Sequence, residues 1–158
     1  MSAASDILEG ANFIPAPRDP DLQALARYWD SKRGTRLMPA RKDIDPVEMK
    51  TLLRHIIMYN IGAPGGPHIV RLVGDSIVTF TGHNATGKPA GTNMEPKAAA
   101  MMVAILDMVA AQRVPKYRAG QAYWWREKSY RNFEACFLPL SSDGEKVDIV
   151  LGGVKFDV

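Results

Sequence analysis

Apolar positions along the chain change period several times, and each change marks an element. Leu22, Leu25, Ala26 and Trp29 recur at the spacing of one helical face, with Asp19 placed to cap, Pro20 in the first turn and Gly34 ending the run. This predicts an amphipathic helix. Asp45-Pro46-Val47-Glu48 has the form of a capping box, with Glu48 reaching back, and predicts a short helix to about Arg54. Residues 55–61 (HIIMYNI) and 68–73 are rich in strand formers and are separated by the turn-forming GAPGGP, which predicts a β-hairpin.

Residues 75–81 predict one or two helical turns closed by Gly82, after which Gly87, Pro89 and Gly91 keep the chain irregular. Pro96–Gln112 is built from good helix formers, and Met101, Met102, Ile105, Met108 and Val109 are placed to face a sheet. From Lys116 the pattern returns to strands over 116–125, 129–140 and 147–158, the last two joined by SSDGEK with its Asp-Gly hairpin signal. Strands clustered in this way predict an antiparallel α+β fold rather than repeated βαβ units. The first eighteen residues read as a flexible tail whose apolar pairs Ile7-Leu8 and Phe13-Ile14 can dock on the domain or a partner, leaving 19–158 as a single domain.

Composition narrows the class without naming a function. The chain has 158 residues, 46% hydrophobic and 23% charged, as a soluble globular domain does. Its one cysteine, Cys136, excludes an intramolecular disulfide, and the N-terminus has neither a basic start nor an apolar run, so a cytoplasmic location is expected. The most apolar window, 98–111, is interrupted by Asp107 and falls short of the roughly twenty residues of a membrane span. A net charge of +3 does not require nucleic acid.

Candidate chemistry is sparse. Gly82-His83-Asn84-Ala85-Thr86-Gly87-Lys88 matches the glycine and lysine positions of a phosphate-binding loop, but Pro89 replaces the hydroxyl that would hold magnesium and no strand leads in. His55, His68 and His83 lack metal-ligand spacing and are read as structural, with His83 the one on a loop. Cys136 in a strand reads as a buried thiol. Trp124 and Trp125 point to opposite faces of a strand, so one fills the core or a pocket and the other covers an exterior face or a dimer contact; which of them turns inward stays open. The five cations between Lys32 and Lys42 read as a surface paired with carboxylates such as Asp43 and Asp45. A methionine-rich helix over a sheet also allows a small-molecule cavity between the two.

Several separated signatures resemble the PAS-like domain family of the PAS_5 type, known from single-domain alphaproteobacterial proteins. They are W, KRG, MPAR and DIDP within 29–46, Arg71-Leu72-Val73-Gly74-Asp75, the Thr86-Gly87-Lys88 turn, and FEACFLPL before Asp143-Gly144. The resemblance implies five antiparallel strands in spatial order 2-1-5-4-3, short helices between strands two and three, a long helix on one face and an N-terminal helical extension. It also implies a non-catalytic sensory or regulatory module of signal transduction that binds a small ligand, a protein partner or both. The flavin-photosensor cysteine motif is missing near Gly91-Thr92-Asn93-Met94-Glu95 and Pro96–Gln112 carries no histidine, so flavin and haem are disfavoured and the cofactor is unknown.

In such a fold the guest lies between the strands and the long helix. Tyr59, Arg71, Phe80, Met102, Ile105 and Trp125 are the expected lining, with Arg71 as anchor for an anionic group. No output segment fits in the remaining residues, so a signal is expected to pass to another chain, and the stripe Leu22, Leu25, Ala26, Trp29 is the expected homodimer surface or else covers its own sheet. Two other classes stand beside this one. One is a small enzyme using His83 with Asp75 or Tyr59, and the other a nucleic-acid binder using Arg126, Lys128 and Arg131.

Overall fold

The computed structural model describes residues 3–121 and 131–157. In chain order they form α1 (Ala3–Leu8), β1 (Phe13–Ile14), α2 (Pro20–Arg33), β2 (Ile56–Asn60), β3 (Ile69–Val73), α3 (Asp75–Thr81), α4 (Pro96–Gln112), β4 (Lys116–Gln121), β5 (Asn132–Leu140) and β6 (Ile149–Phe156). The strands make one antiparallel sheet in the order β1-β4-β5-β6-β2-β3. Without β1 this is the expected five-strand order. The sixth strand is the pair Phe13-Ile14, which adds to the open edge of β4 opposite Arg118 and Tyr117. Two residues are too few to show a period, but a free sheet edge favours such cover.

α2 begins as its sequence dictates: Asp19 Oδ1 accepts the N–H groups of Asp21 and Leu22 at 2.9 and 3.1 Å, with Pro20 in the first turn. Its stripe of Leu22, Leu25 and Trp29 is buried against the helix's own sheet, so the same residues are not a dimer surface. Close approach is possible because Gly153 of β6 has no side chain. A Cβ there would lie 2.8 Å from Leu25 Cδ2, 2.9 Å from Leu22 Cδ2 and 3.1 Å from Cys136 Sγ. Trp29 Nε1 donates to Pro139 O at 2.8 Å, and buried Glu134 accepts the N–H groups of Arg18 and Asp19 at 2.5 and 3.1 Å, tying both ends of α2 to β5.

α4 crosses the opposite face and buries Ala98, Met101, Ile105, Leu106 and Val109. With a helix on each side, β5 is buried from Phe133 to Leu140, which accounts for its nearly continuous apolar run. The helix expected after Asp45 is instead a turn followed by the 3-10 helix Lys50–His55. Asp45 Oδ1 does accept Val47 N–H at 3.0 Å, but Glu48 does not reach back. It is drawn to the Tyr28 hydroxyl at 2.8 Å and Lys32 Nζ at 2.9 Å. Elsewhere in the basic segment Arg36 pairs with Asp43 at 2.9 Å and Arg33 with Asp30 at 2.6 Å. The Ala40 N–H and then Arg36 hold the Asp43 carboxyl below its ordinary value. These cations are largely spent within their own segment.

Candidate functional site

At the β2/β3/β6 end of the sheet, the α4 face is not filled. A partly enclosed cavity of about 100 Å³ lies there, walled by Ile57 and Tyr59 of β2, Val70 and Val73 of β3, Val154 and Phe156 of β6, Ile77 and Thr81 of α3, and Met102 of α4. The α3–α4 crossover closes it with Ala85, Gly91, Thr92, Asn93 and Met94, and His83 also touches it. Ile57 and Tyr59 alternate along β2 with Ile56 and Met58, which turn to the α2 layer.

Two glycines set the roof. At Gly74 a Cβ would strike the carbonyl oxygens of Leu53 and Arg54 at 2.4 and 2.5 Å, so α3 starts hard against the 3-10 helix. Gly91 adopts φ +96° and a Cβ there would sit 2.9 Å from Ala99 Cβ, so the crossover lies directly on α4. Between these points the loop runs along the outer edge of β3. Gly87 N–H donates to Val70 O at 2.7 Å, Val70 N–H to Lys88 O at 2.9 Å and Ala90 N–H to His68 O at 2.7 Å. The segment resembling a phosphate loop therefore covers a strand edge; α3 precedes it, and no helix begins before Pro96.

Among the described residues the cavity wall carries no Asp, Glu, Lys or Arg. Its threonine hydroxyls are engaged by nearby backbone: Thr81 Oγ1 accepts His83 N–H at 3.2 Å and donates to His83 O at 3.1 Å, and Thr92 Oγ1 donates to Pro89 O at 2.6 Å. Tyr59 differs. It is 3% exposed, and among the described residues its hydroxyl meets only the Met102 thioether, at 3.8 Å. Sulfur is a weak acceptor, so this buried donor is poorly satisfied. Burial pushes the phenol far above its ordinary value and keeps it protonated. His83 and Asn93 are exposed where the cavity meets solvent.

Of the residues expected to line a cavity, Tyr59 and Met102 meet in it. Arg71 does not: it is exposed, and Nη1 donates to Asn60 Oδ1 at 3.3 Å. The cause is a bulge. β2 pairs Met58 with Leu72 and Tyr59 with Val70, so Arg71 is the extra residue and turns outward. Phe80 stacks on Phe156 with ring centroids 3.6 Å apart, behind the wall rather than in it, and Ile105 is wholly buried in the core. Trp125 lies outside the described residues, as do Trp124, Arg126 and Lys128. Arg131 forms an ion pair with Asp157.

Ile57, Ile77, Met94, Val154 and Phe156 line the cavity without having been singled out from sequence. Alternation with Tyr59 marks Ile57; nothing local marks the others, because separate elements bring them together. For acid–base chemistry the geometry offers little. Asp75 does not reach the cavity, and among the described residues no hydrogen bond joins the His83 ring to Asp75 or Tyr59. His68 is 1% exposed and structural: Nδ1 accepts Gly62 N–H at 3.0 Å, so Nε2 carries the proton toward Asp107 Oδ1 at 2.7 Å. That clamp holds the β2–β3 loop to α4. Among the described residues no group of three or more His, Cys, Asp or Glu side chains is placed for a metal, and no helix is long and apolar enough to cross a membrane.

Comparison with known proteins agrees with this architecture. A family model described as PAS domain, PAS_5, matches residues 18–155. The PAS domain from Bordetella pertussis BvgS superposes with a TM-score of 0.52 at 20% identity, covering 73% of this chain and 88% of that one. The N-terminal domain of a diguanylate cyclase with PAS/PAC sensor from Marinobacter aquaeolei gives a TM-score of 0.46 at 16% identity over 63% of this chain and 93% of that one. No curated protein matches the chain.

Proposed function

Because the chain belongs to the PAS_5 family of PAS domains, we propose that it is a non-catalytic sensory module whose β2/β3/β6 cavity takes a small ligand. Occupancy changes the packing of the α3–α4 crossover, and a protein partner in a signalling pathway reads that change. The observation that supports this is the apolar, partly enclosed cavity with Tyr59 on one wall and Met102 on the other, where close packing would otherwise leave no void. Met102 is the adaptable side of the wall, since an unbranched thioether repacks around a guest at little cost.

The volume supports a small guest. About 100 Å³ is well below the roughly 300–1,000 Å³ of sites for drug-sized molecules, so flavin or haem would require large movement of the walls. One buried thiol agrees with a reducing cytoplasm as the site of action. Native mass spectrometry of the purified chain, followed by thermal-shift screening with small metabolites, tests the reading. A retained or stabilising small molecule is the expected result; no retained mass and no stabilisation across the screen leaves a protein-interaction role alone.

A further inference from the structure

If the cavity is a ligand site, as proposed above, its chemistry also limits what it can hold. Among the described residues the wall has no cation to meet an anion and no carboxylate to meet a cation, and the guanidinium of Arg71 is turned outward by the β3 bulge. An ion entering would lose hydration without a partner. Both threonine hydroxyls are committed to backbone groups, so the buried Tyr59 hydroxyl, met among the described residues only by Met102 sulfur at 3.8 Å, is the group with most to gain from an oxygen acceptor. From these features we infer that the ligand is a compact neutral molecule with one hydrogen-bond acceptor, a ketone or primary amide, whose oxygen takes the Tyr59 hydroxyl from Met102.

Size sets the scale. A cavity of 150 Å³ admits the six carbons of benzene, so one of about 100 Å³ suits about four or five heavy atoms. A ligand of that size binds in the micromolar to millimolar range at best. Its apolar part would lie against Ile57, Val154 and Met94, with exposed His83 and Asn93 at the entrance.

Three isosteric probes separate the chemistry: 2-butanone, the hydrocarbon 2-methyl-1-butene and the anion propionate. Each is titrated into the full chain labelled at its methionine methyls and read by NMR. Met94 and Met102 report on the cavity, while Met38, Met49 and Met58, buried elsewhere, show that the fold is intact. The expected result is saturable shifts at Met94 and Met102 with 2-butanone and none with propionate. Tyr59→Phe should weaken 2-butanone about fivefold to tenfold and leave 2-methyl-1-butene unchanged, as loss of one neutral hydrogen bond requires.

Met102→Leu provides a second route. It removes the competing sulfur, so 2-butanone should bind a few-fold tighter, read at Met94, with no such gain for the hydrocarbon. Propionate binding as tightly as 2-butanone, or a Tyr59→Phe effect equal for ketone and hydrocarbon, overturns the ligand class while leaving a cavity that binds. Absence of any saturable shift with all three probes removes both the class and the ligand-site reading beneath it.

Discussion

The two faces of the sheet are packed by different rules. On the α2 face Leu22 and Leu25 press into the gap over Gly153, beside Cys136, and Trp29 is held by a buried hydrogen bond to Pro139. On the other face, where α4 reaches the sheet only through Met102, a loop crossover supplies the remaining cover and a cavity is left. A helix laid on a strand with a missing Cβ leaves no slack. A crossover held by edge hydrogen bonds and a thioether wall does. The first face is closely packed, and the second keeps a void.

The largest expected contrast is chemical access. Burial pushes the Cys136 thiol up to about 12, so its thiolate at neutral pH should be roughly a thousandfold scarcer than for an ordinary cysteine. Native protein should resist iodoacetamide until it unfolds; prompt labelling would show that the α2 face opens readily. Leu25→Ala should cost about 2–5 kcal/mol in denaturant unfolding, as for other buried leucines. Gly153→Ala should cost about 1–3 kcal/mol, because the contacts it would crowd are ends of leucine side chains that can partly give way.

Acid should next distinguish the seam where α2 meets β6. Desolvation, then the Lys155 charge, holds His55 below its ordinary value. Asp21 lies 3.9 Å away, but its carboxylate is engaged by Lys155 at 2.6 Å. The unfolded chain therefore takes up this proton more readily than the folded one. Stability from neutral His55 is complete above about pH 6.5 and is lost as pH falls through the lowered folded value. Asp21, lowered chiefly by its hydrogen bond to Lys155, adds stability present above about pH 4 and lost below it. Thermal melts from pH 7.5 to 3 should show both losses, and His55→Gln should flatten the upper one only.

Tyr59→Phe should have the smallest effect on stability, within about 0.5 kcal/mol, because the hydroxyl it removes has only a sulfur partner among the described residues. A cost comparable to that of Leu25→Ala would mean that the cavity face is as fixed as the α2 face.

Much of the fold was legible because its signals are local. Asp19 and Pro20 start α2, Gly82 closes α3 in a left-handed conformation, and Pro96–Gln112 runs as its composition predicts. Where the structure departs from the local pattern, a distant partner changes the outcome. Glu48 would have closed a capping box, but Lys32 and Tyr28, a helix away, hold it more strongly. Strict alternation from Val73 would turn Arg71 inward, yet one unpaired residue in β3 reverses the remainder of the strand and brings Val70 to the cavity in its place.

The sequence by itself determined the helices α2, α3 and α4, the order of the main strands and the family, because caps, turn residues and periodicity act within a few positions of one another. Only the tertiary structure decided which side chains meet. The α2 stripe found its partner in a glycine more than a hundred residues away, and the cavity arose where the β3 bulge, the end of β6 and the α3–α4 crossover converge. Such a void reflects the geometry of several elements at once, and no local pattern along the chain encodes it.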